Sequence, residues 1–207
     1  MKAANPNLSL RNWQRGRRLD LPLARRITTT LLRGLMGLND FDLGLLLVGG
    51  AEMARLNQRF LHQAGPTDVL CFDYRQGPEE SSANYANCAE ADVPGFERLQ
   101  EPGPSRRPSR GRPANCCGSL HADIVVCVDE AAAQARRFRT TWQSELVRYI
   151  VHGILHLRGF DDRRPGQRRK MKRAEDRFLR QLAGRFDLRR LGAEQRRMNF
   201  SGQTRVR

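Results

Sequence analysis

The stretch DLGLLLVGGAEMARLNQRF, residues 42–60, reads as a strand, a break and a helix in turn. Leu43 to Val48 is too short to span a bilayer and has the length of a buried strand. Gly49-Gly50 ends it. Met53, Leu56 and Phe60 then recur at the spacing of one inner helical face over Ala51–Phe60. The alternation continues on both sides. Upstream, Asp20 is placed to cap a helix with Pro22 in its first turn, and Leu23, Ile27, Leu31 and Leu35 mark its apolar face as far as Gly37. Downstream, Pro66-Thr-Asp-Val-Leu-Cys-Phe72 starts as a turn and becomes a strand. Ala122 to Val128 is a further strand, after which Asp129 is expected to cap a helix through Ala131, Ala132 and Ala135. Thr140 or Thr141 caps the next helix, which runs through Trp142, Leu146, Tyr149, Ile150 and Gly153 and stops at Gly159. After Pro165 comes a very basic helix, Gln167 to Leu182, with Met171, Ala174, Phe178 and Leu182 inward. Helices and strands mixed around one sheet place the chain in the α+β or α/β class.

Two segments differ in character. Residues 75–118 are rich in Pro, Gly, Ser and Arg and poor in large apolar side chains, so burial cannot offset the entropy of ordering them. They are expected to form an exposed, disordered insertion in a single domain spanning 1–184. The SRRPSRGR run inside it could touch RNA, although a solvated loop is the simpler reading. Residues 185–207 are expected to be a frayed basic tail. The 207-residue chain carries a formal charge of +15, which favours a polyanionic partner, nucleic acid before a membrane surface. MKAANPNLSLRNWQRGRR lacks the apolar core and cleavage site of a signal peptide. The five cysteines include no C-x-x-C pair, and Cys71 and Cys127 lie in strand-like runs. Reduced thiols in a cytoplasm, with no disulfide-linked partner, are the expectation.

The chemistry is concentrated in VHGILHLRGFDD, residues 151–162. On a helix, positions i and i+4 share a face, so His152 and His156 can offer imidazole nitrogens to one ion. Gly159 lets the chain turn back, and Asp162 can then supply a carboxylate. Three protein ligands would leave one position for water, as in catalytic zinc sites. Either Asp161 or Asp162 could instead close the turn or cap the next helix; the turn favours Asp162 as the ligand. In H-E-x-x-H peptidases the residue after the first His is a glutamate base. Here it is Gly153, which weighs against a metzincin-like metallopeptidase. Phosphodiester cleavage suits the charge better, because Arg163, Arg164, Arg168, Arg169 and Lys170 follow the motif and could draw a phosphate backbone across it. The alternative for these residues is a solvated charged face.

These residues resemble the YbeY family, bacterial metal-dependent endoribonucleases linked to ribosomal RNA maturation and ribosome quality control. The family signature H-G-x-L-H-L-x-G-[YF]-D-H is matched by His152-Gly-Ile-Leu-His-Leu-Arg-Gly-Phe-Asp-Asp162. Two further blocks agree: Leu56-Asn-Gln-Arg-Phe60 with Pro66-Thr-Asp-Val-Leu-Cys-Phe72, and Ala122-Asp-Ile-Val-Val126. Glu145 stands for the glutamate that precedes the first His in the family. The resemblance spans about residues 7–74 and 120–184. It implies an α+β domain, a small mixed sheet flanked by helices, with a metal cleft at the sheet edge. It also implies one zinc ion per chain, ribosomal RNA and the ribosome as partners, and a cytoplasmic location. A non-catalytic RNA-binding assembly factor shares the same basic features. Three departures stand out. Asp162 replaces the family's third histidine ligand, Leu61 occupies a place where many members carry a functional arginine, and the 75–118 segment lengthens a connection that is usually short.

Overall fold

In the computed structural model, residues 6–74 and 120–192 are described, so the expected insertion and most of the expected tail lie outside the described residues. Four strands form one mixed sheet in the order β1-β2-β4-β3. They are β1 (Pro6–Asn12), β2 (Phe41–Val48), β3 (Val69–Asp73) and β4 (Leu120–Cys127). β2 runs parallel to β1 and β4, while β3 pairs antiparallel with β4 at the sheet edge. With helices on both faces, the fold is α+β.

Period-two alternation sends the strands' side chains to two cores. Leu43, Leu45, Leu47, Cys71, Ile124 and Val126 face the larger one. Leu46, Val48, Leu70, Phe72, Val125 and Cys127 face the smaller one, which Met53 and Leu56 of α2 (Gly50–Leu61) complete. α1 (Leu21–Thr29), α4 (Trp142–Leu157) and α5 (Pro165–Ala183) cover the larger core. Asp20 caps α1 as expected, accepting the Leu23 N–H at 2.9 Å. Beyond Thr29 the helix widens into a π-helical turn, Thr30–Leu35, and the chain turns at Gly37 with φ +67°.

Several local expectations need correction. β1 was not anticipated, because its alternation rests on Leu8 and Leu10 alone among polar residues. Asp129 does not cap the helix that follows β4. That helix, α3 (Val128–Phe138), is capped by Cys127, whose Sγ accepts the Glu130 N–H. Asp129 instead accepts the Gly50 N–H at 2.8 Å, so it satisfies the start of α2 from across the fold. Thr141 caps α4. The chain does not fray at Arg185: Leu188 and Leu191 of a 3-10 turn (Leu188–Gly192) are buried, and the Leu191 carbonyl accepts the Asp20 N–H at 2.8 Å. A pair of leucines three apart seats this segment against α1 and α4, where Gln143 donates to the Arg189 carbonyl at 3.1 Å.

The contact that fixes the site is between α4 and the sheet edge. A Cβ on Gly153 would lie 3.0 Å from Ile124 Cγ2, 3.1 Å from Val69 Cγ2 and 3.3 Å from Cys71 Sγ. Glycine lets the helix settle onto β3 and β4 at this point. The Cys71 thiol donates to the Gly153 carbonyl at 3.6 Å, and burial pushes its pKa up, so it behaves as a packed, unreactive thiol.

Candidate metal centre

The last turns of α4 carry both histidines, and the helix ends in a Schellman motif. The Gly159 N–H bonds the His156 carbonyl at 2.8 Å and the Phe160 N–H bonds the Leu155 carbonyl at 3.1 Å, with Gly159 at φ +84°. This turn returns the chain over the helix end. One atom each of His152, His156 and Asp162 then lie within 4.8 Å of one another. Asp161 makes the turn: its Oδ1 accepts the Arg163 N–H at 3.0 Å and the Arg163 Nε–H at 3.2 Å. Those hydrogen bonds, the backbone one first, hold its pKa below the ordinary carboxylate value. Asp161 is thus occupied in the turn, and Asp162, the acid the sequence favours, is the one grouped with the histidines.

Both imidazoles are oriented from behind. His152 Nδ1 lies 3.1 Å from Glu175 Oε2 on α5, and His156 Nδ1 lies 3.1 Å from the Phe160 carbonyl oxygen. A carboxylate and a carbonyl only accept, so in the neutral rings both Nδ1 atoms carry the proton. The Nε2 lone pairs then point forward, 3.0 Å apart. Two nitrogens bound at about 2.0 Å to a tetrahedral ion stand roughly 3.3 Å apart, so the pair needs little adjustment to share one ion. Two nitrogens and a carboxylate oxygen form a donor set suited to zinc and to other first-row divalent ions.

The electrostatics are cationophilic. Burial alone would lower the pKa of His152, but the Glu175 hydrogen bond and the charges of Asp68, Glu175 and Asp162 outweigh it and raise the pKa. Burial, then the neighbouring His152, lower that of His156. Burial would raise the pKa of Glu175, yet its hydrogen bonds with His152 and Arg148 keep it low and ionised. Asp68 was not anticipated as a site residue. It immediately precedes β3, with Oδ1 accepting the Val69 N–H at 2.9 Å, and its charge acts on both imidazoles. The turn that carries it is tied to α2, where the buried Asn57 donates to the Gly65 carbonyl at 2.9 Å. That bond gives the asparagine of Leu56-Asn-Gln-Arg-Phe60 a physical role. Glu145, by contrast, is buried near the start of α4 and engaged by Thr140 and Arg148, away from the histidine turn.

The five basic residues expected at the site all lie exposed on 163–170, directly after Asp162. Arg168 Nε donates to the Asp162 carbonyl at 2.8 Å, and Arg163 is engaged by Asp161. Arg164 leads into α5, with Arg169 and Lys170 in its first turns. Leu61 is half-buried beside the smaller core, while Arg59 is exposed with its guanidinium 5.9 Å from the Phe60 ring centroid.

A histidine pair on a helix, with a carboxylate returned by a glycine turn, is a group that could hold a divalent metal ion. The model of the family described as Endoribonuclease YbeY matches residues 17–183, and the chain belongs to that family. Among relatives named Endoribonuclease YbeY, the one from Chlorobium luteolum is 27% identical over 84% of this chain and 97% of its own. The one from Salinibacter ruber is 33% identical over 66% of this chain and 68% of its own. The one from Clavibacter sepedonicus is 32% identical over 74% and 80% respectively.

Proposed function

We propose that the protein is a metal-dependent endoribonuclease directed at single-stranded RNA, acting in ribosomal RNA maturation. The observation that carries this reading is the convergence of the two Nε2 atoms with the Asp162 carboxylate beside a run of exposed cations. His152, His156 and Asp162 would hold one ion, zinc being one of the divalent ions that suit the donor set. When bound, such an ion supplies Lewis acidity and a water of lowered pKa. The chain's own residues do the rest. Glu175 and the Phe160 carbonyl keep both rings in the ligating tautomer, and Asp68 adds a carboxylate to the site's field. Arg164, Arg168, Arg169 and Lys170 draw the phosphate backbone across the turn. Partnership with the ribosome and a cytoplasmic setting follow from this reading. None of the described helices is long and apolar enough to cross a membrane, and Cys71 and Cys127 are free thiols.

A metallopeptidase fits less well. Gly153 lies where such an enzyme keeps its base, and its missing side chain would point into the sheet. The test is chelation of the purified protein, then assay on a single-stranded oligonucleotide and its duplex after restoring zinc, manganese or magnesium separately. Metal-restored cleavage of the single strand is expected. Tight RNA binding without turnover would favour a non-catalytic assembly factor, and cleavage of unfolded protein instead would favour the peptidase.

Two further outcomes are expected. Neutralising Arg164, Arg169 and Lys170 together should weaken RNA binding and, at one phosphate contact each, reduce the log–log salt slope by about 2. Ligation also needs a neutral His152, whose pKa is raised. Below that pKa the proton competes, so metal affinity should fall by about tenfold per pH unit. Above it the dependence on this group should vanish. Isothermal titration across pH, with proton release measured in two buffers, checks both.

A further inference from the structure

We propose that Glu175 is the positioning residue of the metal centre, and that Arg148 holds it in place for that task. The inference rests on His152 being a ligand. Glu175 is 7% exposed, and an ionised carboxylate at that depth is costly unless both oxygens are engaged. Both are: Oε1 accepts from Arg148 Nη1 at 2.6 Å and Oε2 faces His152 Nδ1 at 3.1 Å. Arg148 and His152 stand one turn apart on α4, so one carboxylate on α5 spans two successive turns of the ligand-bearing helix. Arg148 is fixed in turn by Asp176 at 2.9 Å and Glu145 at 3.4 Å. The result is a chain from Arg148 through Glu175 to His152 that sets the ring's rotation and puts its proton on Nδ1. A carboxylate in this position also makes the imidazole a stronger donor.

Glutamate is required here for a reason of counting. Glutamine has the same shape but a single acceptor oxygen, and it faces two donors. Whichever way the amide lies, either Arg148 or His152 meets an N–H instead of an oxygen. Where the amide turns its N–H to His152, the ring gains freedom to rotate or to carry its proton on Nε2, the atom needed by the ion. Where it turns its N–H to Arg148, the contact that braces the side chain against His152 is lost.

The test uses the full chain with Glu175→Gln and, separately, Arg148→Gln. Arg148→Gln leaves the carboxylate intact and keeps the proposal open to refutation if the first variant does not fold. Zinc affinity is read by competition with a chromophoric chelator. The His152 tautomer is read in the chelated protein by imidazole nitrogen NMR, at alkaline pH where the ring is neutral. Glu175→Gln should bind zinc about 10–100-fold more weakly, the usual consequence of losing such a partner. The Nδ1–H form of His152 should dominate in the wild type and lose population in the variant. Arg148→Gln should shift both readouts in the same direction by less. A purely structural role would lower the melting temperature and leave affinity and tautomer unchanged, and that result overturns the proposal. Absence of zinc binding by the wild type would overturn the ligand reading itself, whereas wild-type binding matched by both variants overturns only the role of Glu175.

Discussion

Alanine at His156 is expected to leave a folded protein that no longer retains stoichiometric metal and cleaves RNA at background rate. His156 is 8% exposed, and its ring touches two parts of the site: Nε2 faces His152 and Nδ1 bonds the Phe160 carbonyl. Removing the ring costs about 1–2 kcal/mol of stability, mostly through the freed carbonyl and lost packing. The Schellman hydrogen bonds are made by backbone and remain, so the turn and Asp162 should stay near their places. What is lost is one donor of three. Two donors on a partly exposed surface hold a divalent ion weakly, because the third protein ligand adds its bond without a new entropy cost of capture. Metal analysis after gel filtration, circular dichroism and an RNA cleavage assay separate the effects. Stoichiometric metal in His156→Ala would overturn the ligand set. Normal cleavage by a metal-free variant would overturn the metal's part in the reaction.

Which parts of this were readable from the sequence follows from the range of the interactions involved. The i, i+4 histidines, the stop at Gly159 and the return of Asp162 are local, and local periodicity with one glycine suffices to infer them. The turn geometry favours Asp162 over Asp161, but what occupies Asp161 cannot be read from spacing. It depends on the hydrogen bonds that Arg163 makes two residues later. Glu175 could be seen as an acid among the cations of a basic helix. Its partners lie 23 and 27 residues earlier, on the far side of a turn; its spacing from Met171 and Phe178 puts it on the inward face, but does not give which groups it meets there. Asp68 is similar: the motif Pro66-Thr-Asp-Val-Leu-Cys-Phe72 announced a turn into a strand, but pairing with β4 brings that turn beside α4. Asp129 shows the opposite case, a good local capping pattern taken over by a tertiary partner, the Gly50 N–H.

Gly153 unites the two scales, and glutamate there should be the most damaging single change at the site. In sequence it is only the place where a peptidase base is missing. In the fold it is a point of close approach between α4 and strands β3 and β4, where Ile124, Val69 and Cys71 leave little room even for a methyl group. Alanine adds one methyl against two β-branched residues held in strands. The overpacking costs about 1–3 kcal/mol, set against a helix-propensity gain of about 1 kcal/mol. Gly153→Ala should therefore be near neutral to modestly destabilising. Glutamate adds a carboxylate directed into apolar packing, with a cost above about 3 kcal/mol from the unpaired buried charge alone. Relief requires α4 to lift from β3, and both histidines would move with it. Gly153→Glu should thus lose metal and RNA cleavage, melt well below the wild type, and gain no peptidase activity despite restoring the letters H-E-x-x-H. Denaturant melts and zinc titrations of the two variants measure this. A stable, metal-loaded Gly153→Glu protein that cleaves peptides would show that the position faces the ion, and would reverse the choice of nuclease over peptidase.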